Sequence, residues 1–254
     1  MFFNKNKIKA NFNQAQPSYN SNALLQKMVA KNLVLRAREN IINSQNIIDL
    51  GSGTGFVAQE ILAEFMDKKI IQLDIAQKML TQNSLATAKI IADIEILPLR
   101  ENIFDLALSS LSFQWLNDLE KTIMQVLKTL KNDGNFYFSL LGNESLKELK
   151  TICQNFQIPL SINEFIDHQQ LEKILHNLNL DYQINSQIIQ LDYQDCYDLL
   201  KSIKSIGAGY SSNQKYLGKK QFDLLNSFYL KNFNLNNKVF ATWQILYVSI
   251  KNRR

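Results

Sequence analysis

Residues 46–55, Asn-Ile-Ile-Asp-Leu-Gly-Ser-Gly-Thr-Gly, constrain the fold of this chain more than any other segment. The apolar run at 47–50 is typical of a short buried strand, and the three glycines permit a tight turn with positive φ angles. Apolar residues at helical spacing follow the turn and predict a helix: Phe56, Val57, Ile61, Leu62 and Phe65. This strand, turn and helix together predict an open α/β sheet with a ligand-binding crevice at the turn.

The spacing of the glycines separates two ligand classes. A dinucleotide fingerprint needs Gly-x-Gly-x-x-Gly, and its third glycine would fall on Phe56, whose ring blocks close helix–strand packing. With Asp49 ahead of Gly51, Gly53 and Gly55, the segment resembles motif I of the class I S-adenosylmethionine (SAM) methyltransferases. This resemblance implies that the glycines pass close to the methionine portion of SAM and that Asp49 orders the turn. A purely structural glycine turn is the alternative.

Three later segments extend this pattern in the expected order. Asp74 ends an apolar run, where a carboxylate accepts hydrogen bonds from ribose hydroxyls, although capping of the following helix is the alternative. In the superfamily's pattern, Asp93 and Ile94 bracket the adenine edge, and Met79 packs on the adenine unless it is only a core residue. Ser110 ends a fourth strand-like run, whose end faces the methyl donor.

Strand-like and helix-like segments alternate up to about residue 141, as in a parallel sheet with crossover helices. We expect an α/β, Rossmann-like class I methyltransferase fold with a seven-stranded, mostly parallel sheet, helices on both faces and a helical lid. The sixth and seventh strands are predicted at 182–191 and 240–250. The lid is predicted at about 193–236, because such a long connection is usually a binding element. Residues 1–254 are expected to form a single domain.

Several boundaries are also predicted from punctuating residues. Residues 1–40 are expected to form a polar arm followed by a helix that Ser21 caps. Gly134 is expected to end the helix that precedes the fifth strand. Gly207 and Gly209 are expected to interrupt the helical lid.

Composition limits the classes of function. A net charge of +5 with no dense basic tract predicts no nucleic-acid partner, and no apolar stretch approaches the roughly 20 residues of a membrane helix. The amino terminus lacks the apolar core of a secretory signal, so a cytoplasmic protein is expected. A monomer is the favoured oligomeric state. Cys153, Cys196, His168 and His176 show no metal-ligand spacing, so no metal is expected.

Five further segments narrow the family. They are 12–19 (F-N-Q-A…Y), 93–99 (D-I-E-I-L-P-L), 102–115 (N-I-F-D-L…Q-W), 145–149 (S-L-K-E-L) and 204–208 (K-S-I-G-A). Through them, and over nearly its whole length, the chain resembles the malonyl-acyl-carrier-protein O-methyltransferase family of biotin synthesis. Ser52 stands where Cys is common, and Thr54 stands where Thr or Pro is found. Neither position removes a glycine or an acid.

The resemblance implies SAM-dependent methylation of the free carboxyl of malonyl-acyl-carrier protein, which gives the methyl ester that enters biotin synthesis. It implies that Gln14 contacts SAM and that Tyr19 and Trp115 are catalytic residues at the methyl-transfer pocket, although core packing is the alternative for Trp115. Lys201 and Lys204 would meet the acidic carrier protein, unless they belong to a solvated helix face.

The chemistry of this reaction suits the residues available. A malonyl carboxyl is already ionised at neutral pH, because carboxylic acids titrate near 4. Its attack on a sulfonium methyl group needs alignment and exclusion of water rather than a general base. A chain with two histidines and no catalytic triad is compatible with such a reaction.

Two rival functions remain open. A SAM-dependent methyltransferase of another small molecule would accommodate the tyrosines of the lid, Tyr193, Tyr197, Tyr210 and Tyr216. A methyltransferase-like assembly factor of respiratory complex I is similar to the chain through residues 109–119. Residues 204–208 favour the biotin enzyme, because we expect the assembly factors to diverge there.

Overall fold

The computed structural model describes residues 3–83, 87–160, 162–209 and 218–253. Its elements, in chain order, are α1 (Lys5–Asn22), α2 (Leu24–Asn43), β1 (Asn46–Leu50), α3 (Phe56–Glu64), β2 (Lys69–Asp74), α4 (Gln77–Leu80), β3 (Ala88–Ile91), β4 (Phe104–Ser110), a 3-10 helix (Phe113–Trp115), α5 (Leu119–Thr129), β5 (Leu130–Leu141), α6 (Lys147–Asn155), α7 (His168–Asn177), β6 (Asp181–Tyr193), α8 (Cys196–Ser205), α9 (Lys219–Asn232), β7 (Asn234–Leu235) and β8 (Lys238–Lys251). Tyr210 and Tyr216 lie outside the described residues.

The strands form a mostly parallel sheet in the order β3-β2-β1-β4-β5-β8-β6, with β7 paired antiparallel to β8. This arrangement confirms the predicted α/β class. The sheet has eight strands among the described residues, so the predicted number of seven was wrong. The additional strand, β7, has only two residues, Asn234 and Leu235, and is too short for its apolar alternation to be read from the sequence.

Strand β1 lies between β2 and β4 and runs parallel to both. Ile48 pairs with Ile71 of β2 and Ala107 of β4. Ile47 and Leu50 are fully or almost fully buried, as is Leu106 in the neighbouring strand. Continuous burial, rather than alternation, is what a central parallel strand covered on both faces requires. The glycine turn therefore starts from a rigid position in the sheet.

Three boundary predictions were wrong. Most of the predicted polar arm is helix α1, which tolerates Pro17 in its interior. The next helix begins at Leu24 after Ala23, without a side-chain cap, so Ser21 does not cap it. Gly134 lies inside β5 instead of ending α5, because Asp133 takes a left-handed φ of +60° and the strand continues past it.

Two compact units make up the chain. One comprises residues 1–22, 141–167 and 187–245, and the other comprises 23–140, 168–186 and 246–254. Among the described residues, no helix combines the length and the apolarity needed to cross a bilayer. The expectation of one methyltransferase domain over residues 1–254 remains a prediction.

Within the first unit, α1 packs on α8. The hydroxyl of Ser18 donates to the backbone oxygen of Ser205 at 2.9 Å. Gly207, with φ +78°, lies so near Phe12 that a Cβ atom would come within 3.0 Å of its Cα. The predicted break at Gly207 is confirmed, since the left-handed conformation and the close approach both favour glycine. Two segments of the family resemblance, 12–19 and 204–208, therefore contact each other.

The same unit contains a buried carboxylate that joins α6 to β8. Glu148 accepts hydrogen bonds from the backbone N–H of Thr242, at 3.0 Å, and from its hydroxyl. Ser145 donates to the backbone oxygen of Gln244 at 3.1 Å. The resemblance segment 145–149 thus fixes the first turn of α6 against the strand.

We predict that Glu148→Ala lowers the free energy of unfolding by about 1–3 kcal/mol, because it leaves the buried N–H of Thr242 without an acceptor. Chemical denaturation monitored by circular dichroism measures the change. The control is Glu144→Ala, which removes only an exposed pair with Lys147 and should cost no more than about 0.5 kcal/mol. Equal losses in the two variants would contradict the role given to Glu148.

Candidate functional site

The glycine turn between β1 and α3 adopts a backbone that other residues rarely take. Gly51, Gly53 and Gly55 have φ angles of +67°, +54° and +89°, which is the left-handed region where glycine has no Cβ penalty. The backbone N–H of Gly51 donates to the backbone oxygen of Leu73 at 2.7 Å, so the turn is held against the end of β2. A Cβ on Gly51 would lie 2.3 Å from the hydroxyl of Ser112. The turn therefore requires glycine for both conformation and space.

Asp74, at the end of β2, is the acid that organises this turn. One carboxylate oxygen accepts from the backbone N–H of Gly53 at 2.8 Å, and the other accepts from the N–H of Ala76 at 2.7 Å. Burial raises the pKa of Asp74, while hydrogen bonds from Ala76, Gly53 and Ile75 oppose that increase. The capping alternative therefore has a structural basis at Ala76. The three backbone donors leave about one of the four lone-pair sites of the carboxylate available to a ligand. The contact with a ribose remains a prediction.

Asp49, at the end of β1, is fully buried. Burial raises its pKa to about 7, the Gln72 amide lowers it, and nearby Asp74 raises it further. No hydrogen bond of normal geometry reaches either carboxylate oxygen from the described residues. An acid in this position is poised between its neutral and charged forms at physiological pH.

Other buried polar atoms near the turn also lack hydrogen-bond partners among the described residues. With Asp49, these are the side-chain oxygens of Ser52, Ser110 and Gln114. All four lie at or just after the carboxyl ends of β1 or β4, where an open α/β sheet binds its ligands. Buried acceptors of this kind need donors. A ligand with an ammonium group and a sulfonium charge, as in SAM, would supply both a donor and a positive charge.

The predicted adenine-contacting residues lie near the same turn. The Cδ1 atom of Ile94 would be 3.1 Å from a Cβ on Gly51, so these two residues are neighbours. Asp93 accepts from the backbone N–H of Glu95 at 3.0 Å, which shapes the segment after β3. Met79 is buried in α4, which suits both the adenine contact and the core role. These assignments to SAM remain predictions.

Two serines of the β4 region support the turn and had not been assigned a role from the sequence. Ser109 donates to the backbone oxygen of Leu50 at 2.7 Å, and Ser112 donates to that of Gly51 at 2.9 Å. The only sequence signal for this supporting role is that small hydroxyl residues lie at the end of a strand. Ser109 and Ser112 hold the carboxyl end of β1 in place before any ligand binds.

Glu95 is a second residue that sequence reasoning missed. Its carboxylate accepts from the backbone N–H groups of Asn117 and Asp118 at 2.9 and 2.8 Å. Its backbone oxygen accepts from the Gln125 side chain at 2.8 Å. Glu95 therefore attaches the segment after β3 to the loop that follows Trp115 and to helix α5.

The remaining predicted site residues occupy different parts of the chain. Gln14 and Tyr19 lie in α1, and Tyr19 is buried. Trp115 is half-buried at the end of the 3-10 helix. Lys201 and Lys204 are exposed on α8. Their functional roles remain predictions.

The described residues contain no cluster of three or more side chains that could hold a metal ion. Cys153 and Cys196 are free, buried thiols. Burial raises their pKa values to about 11 and about 12, respectively. Such thiols are protonated at neutral pH and are poor nucleophiles, so neither cysteine contributes to the site chemistry.

Comparison with known proteins agrees with this geometry. Residues 48–138 match the family of methyltransferase domains. The plantazolicin methyltransferase BpumL, solved in complex with a monoazolic desmethylPZN analog and SAH, has a TM-score of 0.57 at 14% identity and covers 98% of each chain. At this identity the likeness concerns the fold alone, and it confirms the predicted methyltransferase architecture.

The chain covers very different fractions of the lengths of two curated relatives. The malonyl-[acyl-carrier protein] O-methyltransferase of Bacillus anthracis is 30% identical over 97% of this chain and 97% of its own length. The mitochondrial arginine-hydroxylase NDUFAF5 of Mus musculus is 33% identical over 67% of this chain and 52% of its own length. The first likeness is end to end, and the second is partial.

We predict that Asp74→Asn weakens SAM binding at least about tenfold, because hydrogen bonds to a charged acceptor contribute about 1.5–3 kcal/mol each. Titration calorimetry measures the affinity, and a thermal melt checks that the variant is folded. Asp67→Asn, a change at an exposed position in the turn after α3, should leave the affinity unchanged. Unaltered SAM binding by the Asp74 variant would contradict the assignment.

The raised pKa of Asp49 predicts a pH-dependent stability. Between its unfolded pKa near 4 and about 7, the folded protein holds a proton that the unfolded chain has lost. Relative to Asp49→Asn, the wild-type protein should therefore lose stability as the pH rises, by at most about 1.4 kcal/mol per unit. The difference should level off above pH 7. Denaturation of both proteins at several pH values tests this, and a difference that is constant or of opposite slope would contradict it.

Proposed function

We propose that this chain, which belongs to the malonyl-[acyl-carrier protein] O-methyltransferase family, methylates the free carboxyl group of malonyl-acyl-carrier protein. The product is the malonyl methyl ester that enters biotin synthesis. The observation that carries the proposal is the end-to-end likeness to the Bacillus anthracis enzyme, at 30% identity over 97% of both chains. The glycine turn and its buried acids supply a compatible donor site.

SAM supplies an electrophilic methyl group on a positively charged sulfur. The residues proposed to hold it are those of the donor site in the second unit: Asp49, Gly51, Gly53, Gly55, Asp74, Met79, Asp93, Ile94 and Ser110. The left-handed glycines expose backbone to the ligand, and the unpartnered oxygens of Asp49 and Ser110 can accept from its ammonium group. Binding a cation beside Asp49 would favour the ionised form of this acid.

The methyl transfer needs no proton acceptor. A malonyl carboxylate oxygen forms a bond to the methyl carbon while the carbon–sulfur bond breaks. The electron pair of the broken carbon–sulfur bond stays on sulfur. The protein's task is to align these atoms and to exclude water. Gln114, whose side-chain oxygen is buried, and half-buried Trp115 beside it are proposed to form a wall of this pocket. Tyr19 and Gln14 are proposed as further contacts on the family resemblance.

The remaining expectations are part of the same proposal. Residues 193–236, which include α8 and α9, are proposed as the substrate lid of a single methyltransferase domain. Lys201 and Lys204, exposed on α8, are the residues that the family resemblance implies for contact with the acidic carrier protein. The protein is proposed to act as a cytoplasmic monomer, with neither a nucleic acid nor a membrane as partner.

One rival function has a specific observation in its favour. The likeness to the mouse arginine-hydroxylase is 33% over 67% of this chain, and it agrees with the similarity of residues 109–119 to complex I assembly factors. However, the chain spans about half the length of that relative. The contact between Gly207 and Phe12 favours the methyltransferase proposal, because it joins two segments of that family's resemblance.

We predict that the purified chain transfers a labelled methyl group from SAM to malonyl-acyl-carrier protein but not to acetyl-acyl-carrier protein, which lacks the free carboxylate. Scintillation counting and intact-protein mass spectrometry measure the product. Asp74→Asn should reduce transfer, whereas Asp67→Asn should not. If the chain binds SAM but methylates no malonyl carrier, the proposed acceptor is wrong and the rival functions become the better hypotheses.

A further inference from the structure

The amino-terminal part of the chain has an uneven charge distribution. Residues 1–38 contain seven of the 28 basic residues and none of the 23 acidic residues. The rest of the chain therefore carries a small negative charge at neutral pH. Helix α2, which begins at Leu24, provides four of these cations, and its first acid is Glu39. A concentration of one sign of charge attracts partners of the opposite sign.

Helix α2 also exposes a row of apolar side chains. Leu24, Met28, Leu35 and Ile42 have exposed fractions of 57%, 37%, 55% and 44%. At 3.6 residues per turn these positions fall within a narrow sector of one helix face. Single exposed apolar residues need no explanation, but an aligned set on one element is typical of an interaction surface.

Basic side chains accompany the amino-terminal half of this row. Lys31 lies in the same sector, is exposed, and makes no ion pair with the described part of the chain. The carboxyl-terminal half is different, because Arg38 is paired with Glu64 and Glu39 is exposed beside it. We call the part of this helix face from Leu24 to Leu35, formed by Leu24, Lys27, Met28, Lys31 and Leu35, the α2 stripe. It combines exposed apolar side chains with the positive charge of Lys31, and the first acid of the same helix is Glu39.

The α2 stripe lies beside the glycine turn. The Nζ atom of Lys27 is 5.5 Å from the ring centre of Phe56, and Phe56 directly follows Gly55. Helix α2 has 20 residues and is about 30 Å long, whereas β1 has five residues. Since only Ser44 and Gln45 separate α2 from β1, the amino-terminal half of α2 reaches the edge of the sheet where the site lies.

We propose that the α2 stripe is the docking surface for the carrier protein, through a helix of that protein that bears acidic and a few apolar side chains. This inference rests on the proposed function. Lys27 and Lys31 would meet the acids, while Leu24, Met28 and Leu35 would take the apolar contacts. A carrier seated there presents its prosthetic arm to the edge of the sheet that carries the glycine turn.

The lysines of α8 are a less suitable docking surface. Lys201 follows Asp198 by three residues, and the helix is capped by Asp195. Tyr197 of the same helix donates to Asp223 of α9. Asp195 and Asp198 reduce the positive field that Lys201 and Lys204 offer to an acidic partner. The two surfaces can therefore be distinguished by charge reversal.

The test compares a carrier-bound acceptor with a small one. Lys31→Glu should raise the KM for malonyl-acyl-carrier protein about fivefold or more at low salt, since like charges now face each other, and the effect should diminish at high salt. The KM for malonyl-pantetheine and the affinity for SAM should not change. Lys173→Glu, the same charge change at an exposed position of α7, is the matched control. Leu35→Ser should weaken the carrier interaction without this salt dependence.

Direct titration of the carrier protein into each variant separates the two proposals. If the wild-type chain binds the carrier and Lys31→Glu does not, the docking surface stands even when no methyl transfer is detected. Unchanged carrier affinity in both α2 variants would overturn the docking surface while leaving the methyl transfer intact. Loss caused only by Lys201→Glu or Lys204→Glu would place the carrier on α8 instead. A change of oligomeric state in Leu35→Ser, measured by sedimentation, would show that a second copy occupies the stripe and would also overturn the proposal.

Discussion

The carboxylate of Asp74 is the interaction on which the donor site depends. By accepting from Gly53 and Ala76, it fixes the turn after β1 and the start of α4 to the end of β2. The glycines need this support because a left-handed turn lacks the regular hydrogen bonds of a helix or strand. Asp49 is buried nearby, and two acids together disfavour both charges. A cationic ligand would therefore balance the charge of these two acids.

The centre of the fold was predictable because its strands are continuous apolar runs between polar ends. The predicted ends of β2 and β4, Asp74 and Ser110, are those observed. The errors occurred where the same local sequence signal is compatible with two different structures. Gly134 signalled the end of a helix, but α5 had already ended at Thr129 and the glycine lies in a strand. Such choices are decided by long-range packing, which a local pattern does not contain.

The candidate site was predictable in its acids and glycines but not in their hydrogen bonds. Spacing placed Asp74 at the end of a strand, yet it could not show that one oxygen anchors the turn while the other caps α4. Ser112 and Glu95 were missed because their partners are distant in sequence. No local pattern in the family segments 12–19 and 204–208 shows that these two segments contact each other. Their contact at Gly207 requires the folded chain.

The position of Glu95 has a thermodynamic consequence. Its carboxylate holds Asn117 and Asp118, just after Trp115, while it directly follows the two residues predicted to contact adenine. Glu95 therefore links the segment after β3 to the loop after Trp115, so that a displacement of one segment would alter the contacts of the other. If binding of SAM changes this linkage, the coupling free energy appears with equal size in the affinity for the acceptor. The two ligands of one reaction would then report each other's presence without a separate regulatory site.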